Sequence, residues 1–265
     1  MKTVITTMTD NRYAYYAELF RWCCKKSYPQ YDVIVLNKNV LFPDYPDNGY
    51  TTNALRFLTG YEPFEGYDNI YITDIDMMIL PEIPRLHDFH LREMAKSKRC
   101  YSNSLRNKHH TFELDGETWD GLHSMTGLHF CNKEWFDRIE KSAAKYREFL
   151  KTNIVGRGFD GRILYLMAKE NGLGLHGKYK QIKRHHGIHI GTFRLYDPQN
   201  PAINYLERKN NPVRRGMESI RKRIGIRKCE IWRRYIRDPE YSKIVSRIKS
   251  DEVLSMVKKL EAFVK

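Results

Sequence analysis

The chain has no uninterrupted apolar run long enough to span a bilayer. Its opening residues, MKTVITTMTD, lack the apolar middle region of a secretory signal. A cytoplasmic protein is therefore expected. Cysteine is sparse, scattered and odd in number: Cys23, Cys24, Cys100, Cys131 and Cys229. No C-x-x-C pair occurs among them, which excludes a zinc knuckle and a disulfide framework and leaves free, reduced thiols. Acidic residues are also short, 32 against 46 basic ones, for a net charge of +14. What is present in quantity is apolar and aromatic: 41% hydrophobic and 13% aromatic residues exclude a disordered chain. A length of 265 residues is long for one ordinary domain and short for two large ones.

The positive charge is concentrated at one end. Residues 205–265 hold 18 Lys/Arg and 8 Asp/Glu, so they carry +10 of the +14. A basic segment of this kind points to an anionic partner: a membrane surface, nucleic acid or a phosphate-bearing substrate.

The first two hundred residues alternate strand and helix signals. VITTMT (Val4–Thr9) is a β-branched run ending at Asp10–Asn11, a turn and cap signal. YAYYAELFRWCCKK follows with Tyr13, Ala17, Phe20 and Cys24 at helical spacing, closed by Pro29. DVIVLN (Asp32–Asn37) reads as a second strand, so the opening is β-α-β and implies a parallel sheet. TNALRFLTGY predicts a helix, and NIYITDIDMMIL (Asn69–Leu80) predicts a third, buried strand.

That third strand carries Asp74 and Asp76 among Ile70, Ile72, Ile75, Met77 and Ile79. Carboxylates seldom go inside unless they are paired or bind a cation. In a regular strand the two would face the same way, roughly 6.5 Å apart, near its C-terminal end. Ligands of open α/β sheets bind beyond that end. A D-x-D placed there suits a hard divalent cation such as Mn²⁺ or Mg²⁺, and through it a diphosphate. The plain structural account is a turn cap for one Asp and an ion pair for the other.

Taken together, TMTDNRYA, ALRFL with Arg56, and YITDIDMMI resemble the nucleotide-sugar half of the GT-A glycosyltransferases, in particular glycosyltransferase family 8. The resemblance implies a mixed, mainly parallel α/β sheet of the GT-A (Rossmann-like) type flanked by helices over residues 1–204. Residues 205–265 follow as a basic α-helical C-terminal extension. It also implies transfer of a sugar from a nucleotide diphosphate sugar, most simply a UDP-sugar, to a glycan or lipid-linked acceptor.

Site residues come with the same resemblance. Asp74 and Asp76 would hold Mn²⁺ or Mg²⁺. SMTGLHFCNKEWFDRI resembles the family's sugar- and acceptor-lining strand, with Thr126 and Gly127 in the cleft. GFDGRILYLMAKENGLGL resembles its acidic helix, with Asp160 at the acidic position but Gly161 where the family has Gln. If the enzyme inverts, it needs a carboxylate base, and Asp160 or Asp120 would serve as that catalytic residue; if it retains, as the family does, the departing phosphate takes the proton. The plain account of Asp160 is a helix N-cap. In KRHHGIHIGTFR the third metal ligand falls among His185, His186 and His189, with His189 preferred and His186 next. Thr7, Thr9, Tyr13, Arg56, Asp74, Gly191 and Arg194 would meet the donor.

The C-terminal segment reads as a Pro/Asn-rich wrap followed by basic amphipathic helices bearing Trp232. Helices of that kind suit peripheral attachment to an anionic membrane, or equally a pair packed on the catalytic domain with a solvated basic face. A nucleotidyltransferase or nuclease with a nucleic-acid-binding tail is the alternative function. No nucleic-acid-binding motif accompanies it, so no nucleic acid is expected as partner.

Overall fold

In the computed structural model, which describes residues 1–106, 123–175, 186–193 and 224–264 and the backbone of 112–114 and 117–119, the run Thr3–Thr9 forms strand β1. Every residue of β1 is buried, as a central strand covered on both faces requires. Its partners are β2 (Asp32–Asn37) and β3 (Asn69–Ile72), both parallel to it. A later strand, β10 (His129–Asn132), runs antiparallel to β3 and to β5 (Tyr101–Ser102). The sheet order is β2-β1-β3-β10-β5. The mixed, mainly parallel α/β sheet expected from the sequence is therefore present.

The chain divides into two compact units. One contains Met1–Arg12, Pro29–Asp74 and Glu82–Arg184; the other contains Tyr13–Tyr28, Ile75–Pro81 and His185–Lys265. The first holds the five-stranded sheet and helices α2 (Lys38–Leu41), α3 (Gly49–Leu55), α4 (Leu86–Ser97), α5 (Lys133–Thr152) and α6 (Phe159–Glu170). Asn37 and Asn48 cap α2 and α3, their side chains accepting from Asn39 N and Tyr50 N. The Asn48 cap explains why α3 starts before the predicted Thr52. In α5 the buried positions Trp135, Ile139, Ala143, Tyr146 and Leu150 recur every three or four residues, one stripe facing the core. Two short antiparallel pairs complete this unit: β6 (Leu105–Arg106) with β9 (Ser124–Met125), and β7 (Phe112–Leu114) with β8 (Glu117–Trp119).

The second unit holds α1 (Ala17–Ser27), β4 (Met77–Ile79), β11 (Gly187–His189), and helices α7 (Ile226–Tyr235), α8 (Pro239–Ser246) and α9 (Asp251–Val264). A 3-10 turn, Ala14–Tyr16, precedes α1, which so starts later than the Tyr13 of the sequence pattern. The side chains of Cys23 and Ser27 donate to Ile79 O, fastening α1 to β4. Trp22 donates to Glu240 at 3.0 Å and packs edge-on against Tyr235. Trp232, fully buried, meets Tyr241. Salt bridges Lys26–Asp238 and Glu18–Arg247 close the outside of this bundle. The apolar faces of α7 to α9 are thus spent on protein, and their basic residues face water. Among the described residues, no helix is long and apolar enough to cross a membrane.

One expectation fails. The stretch 69–80 is not a continuous strand. Thr73 N still donates to Thr6 O, after which Ile75 and Asp76 form a turn and β4 pairs antiparallel with β11 instead. A continuous central strand would bury both carboxylates; the turn leaves each in partial contact with water, which lowers the desolvation cost.

Trp232→Ala is expected to cost about 3–5 kcal/mol, the range for deleting a buried aromatic. Ile226→Ala, on the same helix but 79% exposed, should change stability by less than about 0.5 kcal/mol. Urea unfolding of both variants checks this, and equal effects would contradict the packing described.

Candidate active site

The polar centre of the first unit is Arg56, which follows α3 and is only 1% exposed. A buried guanidinium must be paired and hydrogen-bonded. Its Nη1 lies 2.5 Å from Asp74 Oδ1, and its Nη2 lies 3.2 Å from Asp160 Oδ2. The same nitrogens donate to Thr73 O at 3.4 Å and Gly127 O at 3.3 Å. Arg56 therefore ties together the end of β3, the loop after β9 and the first turn of α6.

Asp160 is not the helix N-cap. That position belongs to Gly158, at φ 81°, and Asp160 lies in the first turn of α6. Burial pushes its carboxyl up from the ordinary value, the Arg56 guanidinium pulls it down and the nearby Asp74 carboxylate pushes it up; the net direction is up. The neighbouring Gly161 has a steric reason. A Cβ there would stand 2.4 Å from Met125 O, so α6 approaches β9 too closely for the family's glutamine. Gly127 is similar: a Cβ would come within 2.7 Å of Arg56 Nη2 and 3.4 Å of both aspartates.

In the second unit, Asp76 faces His189, with His189 Nε2 3.0 Å from Asp76 Oδ1. Their elements are joined as well, since Ile190 N donates to Asp76 O at 2.8 Å. β11 supplies the register that pairs His189 with Met77. A Cβ on Gly191 would stand 2.5 Å from Asp76 Oδ2 and 3.3 Å from the His189 ring, so glycine keeps the space beside these ligand atoms open.

Asp76 and His189 thus set a carboxylate and an imidazole side by side, and Asp74 supplies the other carboxylate of the D-x-D. Two carboxylates and an imidazole suit Mn²⁺ or Mg²⁺, and no thiol takes part. The donor set therefore fits the cation that the motif implies.

The other predicted residues are placed as follows. Thr7 is fully buried on β1, and its hydroxyl has no hydrogen-bond partner among the described residues. Thr9 donates to Asp10 O. Tyr13 stacks on Tyr16 at 6.1 Å. His186 is buried beside β11, where its carbonyl accepts from Leu80 N, and it is His189 that faces Asp76. The hydroxyl of Thr126 lies 2.6 Å from Asn103 Oδ1. Asp120, His185 and Arg194 lie outside the described residues.

Asn103 is a positioning residue that sequence reasoning missed. It is buried, its Oδ1 accepts from Thr126 N and Ser104 N, and its Nδ2 donates to Thr126 O. It so pins the loop that presents Gly127 to Arg56. Within YSNS the only signal is one more polar residue in a turn-like stretch; nothing local tells a loop asparagine from a staple.

No protein-family profile matches the chain, and no curated protein does. Solved structures that resemble it include the glycosyltransferase GlyE of Streptococcus pneumoniae TIGR4, at 14% identity over 100% of this chain and 64% of that one, TM-score 0.43. The galactosyltransferase LgtC, in complex with donor and acceptor sugar analogs, is 17% identical over 66% of this chain and 72% of that one, TM-score 0.38. The bifunctional IspDF from Campylobacter jejuni is 10% identical over 67% of this chain and 49% of that one, TM-score 0.34. The chain spans about half the length of IspDF and under two thirds of GlyE. At such scores the fold rests on the strand order above rather than on these likenesses.

Three outcomes are expected from the site geometry. Arg56→Gln should raise the Asp160 carboxyl further, because the pull of the guanidinium goes and the push of burial stays; carboxyl-carbon NMR titration reads this. The same change should cost about 3 kcal/mol, the low end for breaking a buried pair, since both carboxylates keep some contact with water. Gly187→Ala should be worse locally: its Cβ would meet Met78 O at 1.9 Å, so β11 must separate from β4 and His189 must leave Asp76. Loss of backbone amide protection at Gly187–His189 would show it, and unchanged protection would contradict the register.

Proposed function

We propose that the chain is a metal-dependent glycosyltransferase that moves a sugar from a nucleotide diphosphate sugar, a UDP-sugar by the motif resemblance, to a glycan or lipid-linked acceptor. The observation that carries this reading is the His189 imidazole lying 3.0 Å from Asp76, the second carboxylate of the D-x-D that follows β3. Asp74, Asp76 and His189 would hold Mn²⁺ or Mg²⁺, which would supply charge neutralisation for the leaving diphosphate.

The chain's own residues do the rest. Thr7, Thr9 and Tyr13 are assigned to the nucleoside side of the donor, and Gly191 and Arg194 to its diphosphate. Thr126 and Gly127 line the sugar. Arg56 orients Asp74 and Asp160 at once. The acceptor hydroxyl attacks the anomeric carbon, the bond from that carbon to the phosphate oxygen breaks, and the hydroxyl proton passes to a carboxylate. Asp160 is the group assigned to take it: burial raises its proton affinity, which makes it a better base. Asp120 remains the second candidate for that role.

The nucleotidyltransferase or nuclease reading is not favoured. Trp232 and Tyr235, the rings that would interleave with a nucleic acid, are buried in the second unit. For the same reason contact with an anionic membrane would depend on exposed basic residues, among them Arg227, Arg234, Arg237 and Lys243. A cytoplasmic enzyme, peripheral on the membrane where its lipid-linked acceptor lies, fits these features.

UDP with Mn²⁺ should raise the melting temperature by several degrees, and UDP without metal should not. Asp76→Ala should abolish that shift and lower nucleotide-sugar hydrolysis by on the order of 100-fold. Hydrolysis unchanged in Asp76→Ala would reject the metal assignment, and stabilisation by oligonucleotides alone would sink the transferase reading.

A further inference from the structure

A pocket in the first unit opens beside Asp160. Its lining includes Gly127, Met125 and three arginines: Arg106, Arg157 and Arg162. These arginines come from separate pieces of chain. Arg106 ends β6, Arg157 lies in the turn before α6, and Arg162 lies on the first turns of α6. The lining residues thus include three arginines and one carboxylate, Asp160, three positive charges against one negative, a net +2.

That charge has a cost. Arg162 is half-buried, and burial pushes its proton affinity down from the ordinary value. Arg106 contributes a field that pulls the Asp160 carboxyl down. Arg106 and Arg162 make further interactions of their own. Arg157 is exposed and has no ion-pair partner among the described residues. Asp160 is itself already engaged by Arg56 at 3.2 Å, so it cannot neutralise the group.

A neutral sugar needs hydrogen bonds, for which uncharged side chains serve without like-charge repulsion. Guanidinium groups gathered round a cleft match the planar, two-oxygen geometry of a carboxylate or phosphate. Their summed field would also offset the repulsion between such a ligand and Asp160.

We propose that the pocket beside Asp160 binds a negatively charged group of the substrate, a carboxylate or phosphate carried on a sugar, gripped by Arg157 and Arg162 with Arg106 behind them. Calling that ligand a substrate rests on the glycosyltransferase reading; the anion site itself does not. It narrows the substrate class from sugars in general to acidic ones.

The test is calorimetric titration of the metal-free full chain with D-glucuronate, D-glucose 6-phosphate and D-glucose, at low and at 0.3 M salt (about a threefold change in screening length from 0.03 M). At least one of the two anions should bind at least tenfold more tightly than glucose, and its affinity should fall with salt. Preference for glucuronate identifies a sugar acid, and preference for glucose 6-phosphate identifies a sugar phosphate. Arg157→Gln, at an exposed position, should weaken the anion about tenfold, with Arg157→Lys recovering part of the loss. Adding Arg162→Gln should remove binding, with melting curves showing that the variants fold. Glucose binding as tightly as both anions, or anion affinity unchanged in Arg157→Gln and the double variant, would overturn the proposal. Neither metal nor donor is present, so failure here leaves the UDP and Mn²⁺ experiment standing, and failure there leaves this one standing.

Discussion

The first unit is organised round one buried cation. Arg56 has almost no water, so the donors on its two terminal nitrogens must find acceptors inside the protein, while its Nε has no hydrogen-bond partner among the described residues. It finds carboxylates on Asp74 and Asp160 and carbonyls on Thr73 and Gly127. The four partners come from three separate pieces of chain. The guanidinium is a plane with fixed donor directions, so satisfying it sets where the end of β3, the Gly127 loop and the first turn of α6 stand. The arrangement also leaves a consequence on Asp160, whose carboxyl feels burial and Arg56 in opposite senses.

Close backbone approach is the second constraint. Gly161 lets α6 come up against β9, Gly187 lets β11 lie on β4, and Gly127 leaves the Arg56 cluster its space. None of these three needs glycine for a left-handed backbone; each needs the absence of a side chain. The departure from the resembled motif at Gly161 is in this sense a packing decision. A glutamine after Asp160 would require α6 to move outward, and Asp160 would move with it.

In the second unit the basic tail has a divided character. Its apolar stripe, with Trp232, Tyr235, Tyr241, Met256 and Leu260, is covered by protein, much of it around α1 and β4. The positive charges that stood out in composition remain on the other face. Composition counts charges without saying which face they occupy, so an amphipathic helix for a membrane and one for a core look alike in sequence.

Local rules carried the reading some way. β2 has the bounds its alternation implied, β1 begins one residue early, and the parallel pairing followed from strand-helix-strand order. Asp74 and Asp76 stood out because carboxylates in an apolar run need a reason. The strand break after Ile72 was not legible, since strand-forming residues stand on both sides of the two aspartates in NIYITDIDMMIL; β3 pairs with β1 as far as Ile72, and β4 pairs with β11 instead. Asn103 and the three arginines of the pocket carry no periodic signal at all. By itself, then, the sequence determined the strand-helix-strand opening and the apolar stripes of the C-terminal helices, because those depend on neighbours a few residues away. The tertiary structure alone decided which side chains meet: Arg56 reaches Asp160 across 104 residues, and no local pattern encodes a contact whose partner is that far along the chain.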